Sequence, residues 1–374
     1  MIRDFNTAAA PRRSRLGLII PFALFGLVLA LYGGYWLWMS GEIRKAAEGW
    51  IAEREAEGYV IAFDRMSVGG FPFRFTVDVR ALEIIAPPDD GGWRMAMPQF
   101  SASALPYNLS HWITAFASPT EIDLQGEEET RALLATAARA RISLASGRAG
   151  TVRAGAELTD FRLTARENGD VLVEALEELV LSSEVEADDQ MRLRLEVRGL
   201  ELGPDQLDAR TTEAFGRRME LIRTDTTLTR WSTLAADANL ASWSTSGGRA
   251  EISMAELHWG GVRLGGEGSM SVDTLLRPEG RLSVLITEPE SLIAALVSGG
   301  VIATNDGEAL RLALMMAPRR EEGVALPFRF QQGGIFLGPV RIGDAGPLAG
   351  QLPAPPVMPD LPADGGEAAE GDRN

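Results

Sequence analysis

The sequence predicts a mainly β protein with a few helices, in which one N-terminal transmembrane helix carries a large, curved antiparallel sheet. A β-sandwich is the second choice. Three observations support this reading. Residues 16–39 form an apolar run without a charge, a two-residue hydrophobic period dominates after Gly58, and helical periodicity is scarce. The expected divisions are a basic N-terminus (1–15), a membrane span (16–39), a second short helix (42–57), a β-rich domain (58–346) and an acidic, proline-rich, disordered tail (347–374).

Roughly 20 apolar residues cross the hydrocarbon core of a bilayer, so LGLIIPFALFGLVLALYGGYWLWM is long enough. Tyr35, Trp36 and Trp38 stand where an interfacial aromatic belt belongs. Arg3, Arg12, Arg13 and Arg15 precede the run against a single Asp4, whereas residues 42–57 carry five acids and three bases. The positive-inside rule therefore puts the N-terminus in the cytoplasm and the body across the membrane. A cleaved signal peptide is the competing reading. The run exceeds the usual apolar region of such a peptide, about 7–15 residues, and no A-x-A site follows it. Beyond the span, Ile43, Ala46, Ala47, Trp50 and Ile51 form one helical stripe, expected to pack on the sheet.

Phe71, Phe73, Phe75, Val77 and Val79 alternate with Pro72, Arg74, Thr76, Asp78 and Arg80, the habit of a strand with one wet face. The same period recurs at Val152–Leu158, Met191–Val197, Val262–Val272, Leu282–Ile286 and Val324–Phe330. Apolar parity shifts around Asp160 and around Gly199, which predicts bulges and a bent sheet. Gly333-Gly334 reads as a hairpin turn. Helices are expected at Pro289–Ser298, at Pro204–Arg218 and, weakly, at Trp231–Trp243. PFRF occurs twice, at Pro72–Phe75 and Pro327–Phe330, by coincidence of composition or because similar strands begin and end the sheet.

Composition excludes several functions. There is no cysteine among the 374 residues, so disulfides and thiolate metal sites are absent. A formal net charge of −16 disfavours nucleic-acid binding. His111 and His258 are the two histidines, each followed by tryptophan, and two histidines in unrelated segments make a poor metal site. Nucleophile-elbow, zinc-protease and phosphate-loop motifs are missing. The acidic groups Glu127–Glu129 and Asp188–Asp189 lack calcium-loop spacing. No cofactor, metal or catalytic residue is expected; a carboxylate-pair hydrolase has no pair to point to.

The opening VGGFPFRFTVDVRALEI, and the ending with GEGSMSVD, PESLIAALVSGG and VALPFRFQQGGIFLGPVRI, resemble the family grouped as domain of unknown function 2125. More distantly they resemble AsmA-like envelope proteins. The resemblance covers residues 10 to 345, firmly at both ends and loosely in the middle. It implies a bitopic protein of the bacterial inner membrane with a periplasmic body, and an AsmA-like curved sheet whose apolar channel shields lipid tails.

Two non-enzymatic functions follow. In the first, one-faced strands outnumber the helices able to cover them, and the spare apolar face binds or shields a phospholipid or other acyl lipid during envelope maintenance or lipid transport. Phe71, Phe73, Phe75, Val77, Phe328 and Phe330 are the candidate ligand-binding residues. In the second, the strands close on themselves and the outer surface recruits an envelope protein, making the chain a scaffold or assembly factor.

Overall fold

The structure is a computed structural model that describes residues 16–126, 130–147, 151–186, 188–317, 319–320, 323–338 and 340–348. The expected basic N-terminus, the acidic group Glu127–Glu129 and all but the first two residues of the expected tail lie outside them.

Helix α1 (Leu16–Ala56) is continuous for 41 residues, about 60 Å, so the expected span and the second short helix are one element. Pro21 lies in its apolar part. The remaining chain forms one antiparallel ladder. β1 (Val60–Ala62) and β2 (Arg65–Gly69) lie end to end on β3 (Phe75–Ile85), which pairs with β4 (Arg94–Leu105). The next two positions are each split: β5 (Asn108–Phe116) with β6 (Thr120–Gln125), then β8 (Arg139–Ser146) with β7 (Thr130–Thr136). β9 (Val152–Ala165) pairs with both β7 and β8. A meander follows through β10 (Val171–Glu186), β11 (Gln190–Leu202), β12 (Arg218–Thr229), β13 (Ala250–Trp259), β14 (Val262–Val272) and β15 (Pro278–Ile286). Then come β17 (Gly323–Gln331), β16 (Arg319–Arg320) with β18 (Gly334–Leu337), and β19 (Val340–Asp344). These fifteen successive positions extend roughly 65–70 Å at about 4.8 Å each.

The chain before and after residue 203 thus belongs to one sheet, not two. α2 (Ala209–Phe215), shorter than the expected Pro204–Arg218 helix, is an insertion between β11 and β12. Asp208 caps it through the backbone N–H groups of Arg210 and Thr211. The expected Trp231–Trp243 helix is two short ones, α3 (Trp231–Asp237) and α4 (Leu240–Thr245), because Asn239 adopts an extended conformation and caps the second. α5 (Pro289–Ser298) has the expected bounds. α6 (Thr304–Met316) was not foreseen; Gly307 lets it approach α5 so closely that an added Cβ would lie 2.7 Å from Val297.

One expected strand boundary is wrong. The alternation through Phe71 and Phe73 is a turn, and β3 begins only at Phe75. Gly70 makes that turn possible, with φ +99° and Arg74 donating to its carbonyl at 3.1 Å. The second PFRF lies within β17, so the two copies differ in local structure.

The parity shifts at Asp160 and Gly199 coincide with left-handed backbone, φ +50° and +58°. They belong to a crease that crosses the sheet. Ala81 in β3 is also left-handed at φ +50° and separates buried Val79 from buried Leu82. Residues 117–119 break β5 from β6 at the same level, where the Ala117 N–H donates to the Gln99 carbonyl. Residues 137–138 break β7 from β8, the Ala138 N–H donating to Thr159. Each such residue resets which face the following side chains occupy, and bends its strand.

Most of the buried apolar side chains form two separate clusters. In the first, Trp36, Met39 and Ile43 of α1 pack on Ile61, Phe75, Val77, Val79, Leu82, Met97, Ala104 and Trp112, with Trp50 and Ile51 against them, as the helical stripe anticipates. In the second, Leu292, Ile293, Leu296, Leu310 and Leu314 from α5 and α6 pack on Val262, Val284, Ile286, Val324, Leu326, Leu337 and Val340. Phe75 is fully buried, whereas Phe73 is 80% exposed two residues earlier. Phe75→Ala is therefore expected to cost about 3–5 kcal/mol in chemical denaturation, and Phe73→Ala to stay within about 0.5 kcal/mol.

Candidate functional site: the open apolar face

Directly opposed residues in an antiparallel ladder share a face, so the registers trace rows across the sheet. One row runs Phe75, Ala104, Trp112, Leu144, Ala154, Ser183, Leu193, Thr226, Ile252, Gly268, Leu282, Phe328, Leu337, Val340. The next runs Val77, Ala102, Thr114, Ile142, Ala156, Leu181, Leu195, Thr224, Ala255, Gly266, Val284, Leu326. A third includes Ala140, Leu158, Leu179, Val197, Ile222, Leu257, Leu264, Ile286 and Val324. All three are predominantly apolar, and they form one face from end to end.

That face is covered unevenly. The first cluster stops at β5 and the second starts at β14. Between them, β7 to β13 place Leu176 and Val197 among the buried apolar residues, while Leu144, Leu158, Phe161, Leu179, Leu181, Leu193, Leu195, Ile222 and Leu257 stay half-exposed. This stretch spans six strand positions, about 25–30 Å at ~4.8 Å each. Its floor is widened by small residues, Ala154, Ala156 and Ala255.

The opposite face is a lattice of charge. Arg141, Glu157, Val180, Glu196, Arg223 and Glu256 are successive neighbours in one row. Arg223 donates to Glu196 at 3.0 Å and to Glu256 at 3.1 Å. Arg94 bridges Glu83, Glu121 and Asp123, and Arg166 shares the last two. Hydrogen bonding to those carboxylates raises the Arg94 pKa further. Two shallow depressions open on this face, of about 770 Å³ beside His258 and about 680 Å³ beside His111. The two histidines stand six strand positions apart, roughly 30 Å. The His258 Nε2 lies 3.0 Å from Glu256. No group of three or more potential metal-binding side chains occurs among the described residues.

The six candidate residues separate into three environments. Phe75 and Val77 are on the apolar face but beneath α1: the Trp36 and Phe75 rings stack with centroids 5.3 Å apart. Phe328 is on the same row at the far end, packed against the second cluster, and Phe330 is half-buried opposite Gly280 and Ile335. Phe71 and Phe73 are in the turn before β3, with Phe71 edge-on to Trp36 at 5.4 Å and Phe73 directed outward. None of the six lines the half-exposed middle. The leucines and alanines of β8–β12 do, and their alternation was legible, but their place between two covered ends depends on strand order.

These features define a class: among the described residues one helix, long and apolar enough by length and composition to cross a membrane, followed by a one-sided antiparallel sheet. Residues 36–346 match the family described as "Uncharacterized protein conserved in bacteria (DUF2125)", and the chain belongs to that family. No curated protein and no solved structure matches the chain.

The Arg223–Glu196 contact gives a pH test. Its hydrogen bond to Arg223 first, then the attraction of Arg223 and Arg198, hold the Glu196 carboxyl below its ordinary value of 4.5. A depressed folded-state pKa contributes stability that is complete above that ordinary value and lost as pH falls through the folded one. Glu196→Gln should therefore lose less stability than wild type between pH 6 and pH 3, measured by urea denaturation.

Proposed function

We propose that the chain is a membrane-anchored, non-catalytic protein of the bacterial envelope whose half-exposed apolar face shields lipid acyl chains. The observation that carries this reading is the uncovered stretch from β7 to β13, flanked by two helix-covered ends. Apolar surface of this extent on a folded protein calls for an occupant. Its 25–30 Å length exceeds the ~15 Å depth of one bilayer leaflet, half the ~30 Å hydrocarbon core. Each methylene removed from water contributes about 0.8 kcal/mol, so a sixteen-carbon chain needs on the order of 12 kcal/mol of shielding.

The anchor reading is favoured over a cleaved signal by packing. Trp36 and Met39 are 7% and 8% exposed against the first strands, so cleavage just after the apolar run would strip part of a core. The family match also begins at Trp36. With the arginines of residues 3–15 on the cytoplasmic side, the body lies in the periplasm. The likeness to AsmA-like proteins enters as analogy: an open curved sheet would serve the same shielding on a smaller scale.

The test is photocrosslinking in the native membrane with a phospholipid carrying a diazirine in its acyl chain. Crosslinks should map to apolar-face residues of β8–β12. The directly opposed pair Leu181→Glu and Leu195→Glu should lower them at least tenfold, equivalent to about 1.4 kcal/mol, with the circular dichroism of the sheet unchanged. Crosslinks confined to α1, or unaffected by the pair, would sink the groove and leave recruitment of a protein partner as the reading to pursue.

A further inference from the structure

We propose that the turns at 70–74 and 105–107 form a foot embedded in the bilayer interface, with Phe71, Phe73 and Tyr107 among the headgroups and upper acyl chains of the leaflet from which α1 emerges. The proposal rests on the anchor reading of α1. It goes beyond the groove, because these side chains meet the membrane itself rather than a carried lipid.

The first support is height. The sheet first grips α1 at Tyr32, whose hydroxyl donates to the Pro72 carbonyl. The Tyr35 hydroxyl donates to Pro106 at 3.1 Å and the Trp36 indole N–H to Arg74 at 3.3 Å. Residues 21–31 are exposed around the whole helix. From Leu16 to Leu31 the helix rises only about 24 Å, short of the ~30 Å hydrocarbon core. A core beginning just after Arg15 therefore ends near Tyr35, level with both turns. Helix tilt draws the turns deeper, because it shortens the vertical rise.

The second support is what the turns display there. Phe71 is 57% exposed, Phe73 80% and Tyr107 81%, and at the same level of α1 Leu37 and Trp38 are 69% and 60% exposed. Tyr and Trp are enriched at this depth, and Phe and Leu form the membrane-facing side of interfacial segments. Arg74, next to Phe73, is exposed as well, and its stem can lie along apolar surface while its guanidinium reaches lipid phosphate. The third support is rigidity. Two hydrogen bonds from α1 and the left-handed Gly70 fix the 70–74 turn, so Phe73 is presented outward rather than folded back.

The absence of cysteine gives a clean background for site-directed spin labelling. Phe73→Cys, Tyr107→Cys, Leu27→Cys and Glu55→Cys, each in the full chain, are labelled with a nitroxide and reconstituted in phosphatidylethanolamine–phosphatidylglycerol vesicles. Labels at 73 and 107 should collide more with membrane-soluble oxygen than with a water-soluble nickel chelate, with a ratio severalfold above that at 55. The label at 27 should report the bilayer interior. If 27 is in lipid while 73 and 107 match 55, the foot is overturned and the anchor stands. If 27 is also in water, the anchor reading falls and takes the foot with it. Both test positions are mostly exposed, so the substitutions remove little packing.

Discussion

The stacking of Trp36 on Phe75 fixes the relation between helix and sheet, and most of the architecture follows from it. From Trp36 to Ala56 the helix rises about 30 Å; from Phe75 to Ile85 β3 extends about 33 Å. The two elements run side by side, with Trp36 on Phe75 at one end and, just past the other, Tyr59 after the helix hydrogen-bonded to Asp90 after the strand. β3 therefore stands parallel to the helix, and the face that Phe75 occupies is turned toward it. Every later strand inherits that orientation through continuous antiparallel pairing, interrupted only by bulges.

A one-sided ladder of this length has a persistent difficulty, since it must hide an apolar face without a second sheet. Helices solve it at the ends. α1 covers the first strands, and α5 with α6 covers the last, where Ile293 and Leu310 are almost fully buried. In the middle the crease through Ala81, Asp160 and Gly199 bends the strands, which brings neighbouring rows toward one another and leaves the leucines half-exposed. The arginine–carboxylate lattice on the other face adds little net energy, since exposed pairs contribute about 0–1 kcal/mol each. Its effect is on specificity. A one-residue slip would oppose like charges and turn the leucines to water, so both faces enforce the same register.

The strand content was legible because a two-residue period survives from sequence into structure, and the parity breaks at Asp160 and Gly199 marked the bend correctly. The same period misled at Phe71 and Phe73, where alternation continues through PFRF although the chain turns at Gly70 and Pro72. Alternation reports which side chains could face one way, not whether the backbone is paired. α6 was hidden by its opening residues Thr304–Gly307, poor helix formers whose glycine is required by contact with α5. That Phe75 and Phe328 lie on one row, at opposite ends of the sheet, could not be read at all. It depends on eleven successive pairings, each of which must be in register.

The placement of the aromatic residues also bears on how such a sheet meets a membrane. Phe73 and Phe75 differ by two positions, yet one is mostly exposed on a turn and the other fully enclosed under Trp36. In water a phenylalanine held outward on a fixed turn contributes no hydrophobic stabilisation. Where the surrounding medium is the interfacial zone of a bilayer, the same side chain is favourably placed. The helix then does more than tether. On the proposed membrane placement it holds the first strands upright at a set depth, so the apolar rows would start at the lipid surface and lead away from it toward the uncovered strands. A groove reached only through water would expose an acyl chain on the way in; one whose first rows begin at the membrane boundary would not.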